Sequence, residues 1–193
     1  MSKKNKNIIE RFASKGVFPY QMAFTLLIPL RNIFLSPKQL IKRMELSEEH
    51  HVLEVGSGPG YFSIKVAKYL ERGQLVLADI QQEMLNFAKK RIDRKDLKNV
   101  NYCLCDGRKF NYPNNSFDRI FMVTVIGEVE NKEAYLQEFY RILKPGGLLS
   151  ISELAGDPDK MTPDELKLLV SQTDFNYYNI HGSKRNYTVN FQK

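Results

Sequence analysis

Cysteine and histidine are scarce: two and three in 193 residues. Cys103 and Cys105 do not form a C-x-x-C pair, and His50, His51 and His181 show no ligand spacing. A zinc centre needs several such donors converging from short paired spacings, so no metal site is expected. The two thiols alternate along an apolar run, which puts both on one face of a strand. We read them as core thiols of a chain kept in a reducing cytoplasm. Long apolar runs are also missing. The densest stretch, residues 17–35, is only nineteen residues long and is broken by Pro19, Pro29 and Arg31. A membrane-spanning helix takes about 20 predominantly apolar residues, so no transmembrane segment is expected. The stretch also starts too late for a secretory leader and lacks a small-residue cleavage site. No block of five like charges occurs, which argues against a dedicated nucleic-acid arm. The net charge is nevertheless +7, and residues 1–50 carry nine Lys and Arg against four Glu. Such a front end attracts anionic partners and leaves peripheral contact with a membrane surface open.

What the chain does have is a run of strand, glycine turn and helix. Val52-Leu53-Glu54-Val55 reads as a buried strand, Gly56-Ser57-Gly58-Pro59-Gly60 as the turn, and residues 61–70 as the helix, with Ile64, Ala67 and Leu70 on one face. Glycines there allow positive φ and bring bare backbone up to a ligand. A dinucleotide fingerprint needs G-x-G-x-x-G, and a phosphate loop needs G-x-x-x-x-G-K-[ST]. Neither spacing is present. Leu75 to Ala78 then forms a second strand closed by Asp79, nineteen positions past Gly60. An acid about 20 residues beyond such a turn binds ribose hydroxyls in nucleotide-binding α/β folds. A helix over 81–92 follows, with Met84, Leu85, Ala88 and Ile92 on one face. Next come a strand over 100–105 ending at Asp106-Gly107, a fourth strand over 117–125, a helix over 132–143 and a fifth strand over 148–153. Strands alternating with helices predict a mostly parallel sheet covered on both faces, with ligands at the carboxyl ends of the strands.

Glu54 with G-x-G-x-G, Asp79, Asp106-Gly107, Ser116-Phe117-Asp118 and Leu143-Lys144-Pro145-Gly146-Gly147 occur in order over residues 37–154. This array resembles the class I S-adenosylmethionine-dependent methyltransferases. Within that class it is similar to the small-molecule enzymes of the ubiquinone/menaquinone-biosynthesis group. The resemblance implies an α/β, Rossmann-like three-layer sandwich. Its sheet would be seven-stranded and mostly parallel, with an antiparallel C-terminal hairpin strand and N-terminal lid helices. Residues 1–45 would be the lid and 46–193 the methyltransferase domain, a single domain overall. The implied cofactor is S-adenosyl-L-methionine, leaving S-adenosyl-L-homocysteine as product. Glu54, Gly56, Ser57, Gly58 and Gly60 would hold its amino-acid end. Asp79 would take the ribose and Ile80 would pack on adenine. Asp106 and Gly107 would meet the adenine amine, and Val123 and Thr124 would line the site.

The acceptor side is less defined. Methyl transfer from a sulfonium depends mainly on orientation, so no obligatory catalytic side chain is expected. Glu128 and His181 are candidate bases, and Tyr20 is a candidate to cover the sulfonium with its ring. Enzymes that methylate planar amines in this family resemble one another in an [Asp/Asn]-Pro-Pro-[Tyr/Phe] motif after the fourth strand. This chain has Val123-Thr124-Val125-Ile126-Gly127 there. Covalent attack on a base carbon is disfavoured, because no cysteine follows the fourth or fifth strand. Arsenite methylation would require more converging thiolates than the one pair present. The expectation is therefore a small apolar or amphipathic acceptor handled by a monomer or homodimer. An RNA or protein methyltransferase, or a cofactor binder without transfer activity, is the alternative. At the C-terminus, Tyr187, Val189 and Phe191 alternate, and 177–180 with 187–191 reads as a hairpin.

Overall fold

The computed structural model describes residues 20–27 and 34–193. Its sheet has the order β3-β2-β1-β4-β5-β7-β6. β1 (His51–Val55), β2 (Gln74–Asp79), β3 (Val100–Leu104), β4 (Phe117–Val123) and β5 (Leu143–Glu153) are parallel, while β7 (Asn186–Gln192) runs antiparallel to both β5 and β6 (Asn176–Ser183). This is the architecture expected from the sequence, including the antiparallel hairpin strand. The chain winds outward from β1 to β3, then crosses to start β4 on the other side of β1. The crevice between β1 and β4 is therefore the switch point where such sheets bind ligands.

The inner strands are apolar on both faces because both faces are covered. On one face Leu53, Ile120, Ile151 and Phe191 pack against Phe139 of α4 (Lys132–Ile142) and Leu166 of α5 (Pro163–Val170). On the other, Val52, Leu77 and Phe121 meet Leu40 of α1 (Pro37–Arg43), Val66 of α2 (Ser63–Tyr69) and Leu85 of α3 (Gln82–Asp93). Capping boxes start two of these helices. Ser36 Oγ accepts from Gln39 N while Gln39 accepts in return from Ser36 N, and Thr162 and Glu165 do the same for α5. Each pairing satisfies amide donors that the first helical turn leaves open.

Four local expectations change. The helix after the glycine turn begins at Ser63, since Tyr61 and Phe62 still belong to the turn. β4 stops at Val123: Thr124 takes φ +56, and a short 3-10 helix, Ile126–Glu128, follows. A β-branched residue at positive φ cannot continue a strand. The Lys144–Gly147 turn lies inside β5, because Leu143 already pairs with Phe117 and pairing resumes at Leu148 opposite Arg119. Asp118 pins that bulge, with Lys144 Nζ 2.9 Å from both its carboxylate oxygens and His51 N donating to it at 2.8 Å. Finally, Cys103 is only half-buried, since β3 is an edge strand, whereas Cys105 is buried. The lid assigned to residues 1–45 falls outside the described residues at 1–19 and 28–33. No helix among the described residues is long and apolar enough to cross a membrane.

Candidate functional site

A cavity of about 1680 Å³ opens at the carboxyl ends of β1, β2 and β4. Glu54, Gly56, Ser57, Gly58, Asp79, Ile80, Asp106, Gly107, Val123, Thr124 and Glu128 all line it. Residues far apart in the chain thus share one wall, as parallel strands ending on the same edge require.

The glycine turn is held rigidly. Gly56 N and Ser57 N donate to Ala78 O at 2.8 and 3.1 Å. Gly58 N donates to Asp79 Oδ2 at 2.8 Å, and Gln81 N to Asp79 Oδ1 at 2.9 Å. From behind, Arg91 of α3 donates to the carbonyls of Pro59 and Gly60 at 2.6 and 2.9 Å. The three glycines serve different ends. A Cβ on Gly56 would stand 2.4 Å from Val125 Cγ2, and one on Gly60 would stand 3.2 Å from Ala88 Cβ. Both glycines allow close packing of the turn on the protein, and Gly60 does not face the cavity. Among the described residues, a Cβ on Gly58 would meet only Leu26 Cδ1, at 3.7 Å. Gly58 is therefore the glycine that leaves backbone bare toward a ligand.

The carboxylates differ in state. Glu54, 3% exposed, accepts from Ser63 Oγ at 2.6 Å. Burial, with some repulsion from Asp79, raises its pKa to about 8, while the Ser63 bond pulls the other way. Burial also raises the Asp79 carboxyl, against the backbone bonds from Gln81 and Gly58 that favour its charge. Asp106 is exposed and accepts from Lys109 N and Arg108 N, which hold it below the usual carboxylate range. Ile80 is 45% exposed toward this space and offers a flat apolar contact. Glu128 rises to about 7, mainly through burial and then through Asp157 and Asp159.

Two candidates are not brought to this place. Tyr20 is 42% exposed and does not line the cavity, whose cover comes instead from Leu26 and Phe34. His181 sits on β6, the far edge of the sheet, away from the β1–β4 crevice. Sequence reading also missed contributors. Ser63 and Arg91 carry no motif, although each is fixed by helical spacing behind the turn. The Gly156–Met161 loop after β5 also lines the cavity, and its place beyond a strand's carboxyl end was the available signal.

Comparison with known proteins agrees with this geometry. A family profile described as "Methyltransferase domain" matches residues 46–191. The chain belongs to the class I S-adenosylmethionine-dependent methyltransferase family. Among its relatives is the ubiquinone/menaquinone biosynthesis C-methyltransferase UbiE of Pseudoalteromonas translucida, 30% identical over 145 residues, which are 74% of this chain and 55% of that protein. The chain spans about half the length of the curated relatives it matches. A crystal structure of an S-adenosylmethionine-dependent methyltransferase from Aquifex aeolicus superposes with TM-score 0.85 at 25% identity, covering 91% of this chain and 98% of that one. The [4+2]-cyclase SpnF shares the fold, with TM-score 0.67 at 21% identity over 75% of this chain and 58% of its own. The cavity of the methyltransferase domain fits the family's cofactor on its own terms. It offers bare backbone at Gly58 and carboxylates at two strand ends. Ser57 Oγ is buried in the turn without a hydrogen-bond partner among the described residues.

Proposed function

We propose that this chain transfers a methyl group from S-adenosylmethionine to a small, apolar or amphipathic acceptor. The observation that carries the reading is the convergence of Glu54, Gly58, Asp79 and the unpartnered Ser57 hydroxyl on one cavity. When bound, the cofactor supplies an electrophilic methyl group on a sulfonium. Glu54 would hold its amino group, Asp79 its ribose hydroxyls, Ile80 and Asp106 its adenine. The acceptor would lie against Val125, Val129, Leu154 and Met161, the apolar part of the wall. The curated relatives are named C-methyltransferases of ubiquinone/menaquinone biosynthesis, which favours carbon as the methylated atom. Such an acceptor gives up a proton, and Glu128, which lines the same cavity, would take it. A base whose pKa lies near the working pH is the effective one. Lys132 does not neutralise Glu128, because its ammonium is turned onto the carbonyls of Val129 and Gly127, at 2.7 and 3.3 Å.

The experiment is calorimetric titration with S-adenosylmethionine and S-adenosylhomocysteine, followed by a methyl-transfer assay over phenols, hydroquinones and amines. A hydroxylated ring is expected to gain a methyl group, with a rate that rises through about pH 7 as Glu128 loses its proton. Glu128→Gln is expected to lower kcat by about a hundredfold and to leave S-adenosylhomocysteine affinity unchanged. Cofactor binding with no methyl loss to any acceptor would sink the transfer reading.

Glu54 gives a second expectation. An ammonium held by Glu54 requires the carboxylate, yet the free protein keeps this proton up to about pH 8. Affinity for S-adenosylmethionine should therefore climb with pH below that value, by up to about tenfold per pH unit, with proton release on binding. Titrations between about pH 5.5 and 6.7 stay about one pH unit or more below the α-amino pKa of about 7.7–8.0, so the ligand's ammonium remains charged throughout. Glu54→Gln should bind weakly with a flat profile. A wild-type affinity independent of pH would remove Glu54 from the ligand.

A further inference from the structure

A second cavity, about 1050 Å³, lies along α1 and α2. Its floor is apolar, formed by Ile41, Leu46, Ile64 and Leu27. Its rim is basic. Lys38 and Lys42 stand one turn apart on α1, Lys65 and Lys68 on α2, and Arg91 closes one end, with Glu45 as the sole acid in the wall among the described residues. The four lysines are exposed, and none forms an ion pair among the described residues. Salt bridges elsewhere use other cations, such as Arg72 with Glu48 and Glu49. Unpaired like charges held this close repel one another, so they lower stability unless an anionic partner offsets them. The groove also borders the functional cavity. Tyr61 lines both, and the consecutive residues Leu26 and Leu27 line one each.

A recessed apolar floor with ammonium groups around it takes up part of a lipid's acyl chain while the phosphates of an anionic surface stay at the rim. We propose that the α1–α2 face docks on an anionic phospholipid surface, with Lys38, Lys42, Lys65 and Lys68 at the headgroups. The docking does not depend on which acceptor is methylated. It places the protein's ligand cavity next to a reservoir of amphipathic molecules.

The test uses the full chain and sedimentation with vesicles of pure phosphatidylcholine or of phosphatidylcholine with about 30% phosphatidylglycerol, at low and high salt. Binding is expected only to the anionic vesicles, and salt should release it. Each lysine near the surface is worth about fivefold in partitioning. Lys38→Gln, Lys42→Gln, Lys65→Gln and Lys68→Gln together should therefore cost several-hundredfold. A control with the same charge change on the α3–β3 side, Lys89→Gln, Lys90→Gln, Lys95→Gln and Lys98→Gln, should keep most of the binding. Equal losses in the two variants would reduce the effect to net charge and overturn the assignment. Absence of wild-type binding to anionic vesicles would overturn it as well, as would retention of single-stranded RNA or of glycerol phosphate in the groove without vesicle binding.

Discussion

Gly58→Val is expected to fold and to lose S-adenosylmethionine. Gly58 has φ +52, so any side chain there is strained. The left-handed region costs a non-glycine residue about 1–2 kcal/mol. A domain stable by about 5–15 kcal/mol tolerates that loss, and for this size it lowers the melting temperature by about 2–8 °C. Sterically, among the described residues the new Cβ meets only Leu26. The valine methyls therefore project into the space where the ligand must reach backbone. A loss of at least about two orders of magnitude in affinity is expected, beyond detection in an ordinary calorimetric titration. Gly58→Ala should fall between, since it carries the same strain and projects one carbon. Gly56→Val should behave differently. Its Cβ would overlap Val125 at 2.4 Å, so that variant should lose the fold before it loses the ligand. A well-folded Gly58→Val protein with normal affinity would show that the turn is not the site.

The contrast among these glycines also marks the limit of what the sequence reveals. The strand, turn and helix around residues 52–70 were legible because the pattern is local: an apolar run, a cluster of glycines, then helical spacing. The hairpin was legible for the same reason, from the alternation of Tyr187, Val189 and Phe191. Which glycine faces a ligand and which faces Val125 or Ala88 is a tertiary fact. So is the role of Arg91, which reaches the turn from the next helix but one. Thr124 misled the reading of β4, because nothing in Val123-Thr124-Val125 announces a positive φ at a β-branched residue. His181 looked eligible as a base only while strand order was unknown. Once β7 and β6 are placed outside β5, that side chain is three strands from the crevice. The Gly156–Met161 loop was missed as a wall of the site, although it follows the carboxyl end of β5. Its approach is recorded at Gly127, where a Cβ would stand 2.0 Å from the Asp159 carbonyl oxygen. Acid and base assignments at Glu54 and Glu128 needed burial, which sequence alone does not supply.

Glu153→Gln is expected to stabilise the protein at neutral pH and to change nothing in mild acid. Glu153 ends β5 opposite Tyr187 of β7, is 1% exposed, and has no hydrogen-bond partner among the described residues for either carboxylate oxygen. Burial pushes its pKa to about 8, with further repulsion from Asp157, Glu128 and Asp159 outweighing attraction to Lys160. The unfolded chain ionises this group near the ordinary value of 4.5. Between those two values the unfolded state releases a proton that the folded state keeps, so stability falls as pH rises. The stability this group contributes is fully present below about 4.5 and fully lost above about 8. Each pH step of one across that interval removes about 1.4 kcal/mol, so the deficit at pH 7 is about 3 kcal/mol. Glutamine keeps the shape and polarity of the protonated carboxyl and cannot ionise. The variant should thus gain about 3 kcal/mol at pH 7, which raises the melting temperature by about 6–12 °C. Near pH 4.5 the two proteins should melt together. Glu54 and Glu128 impose pH dependence of the same sign, but both proteins carry them, so the difference between the two curves isolates Glu153. Parallel curves from about pH 4.5 to 8.5 would mean that its carboxylate is solvated or paired in the folded state, contrary to the buried and unpartnered position described above.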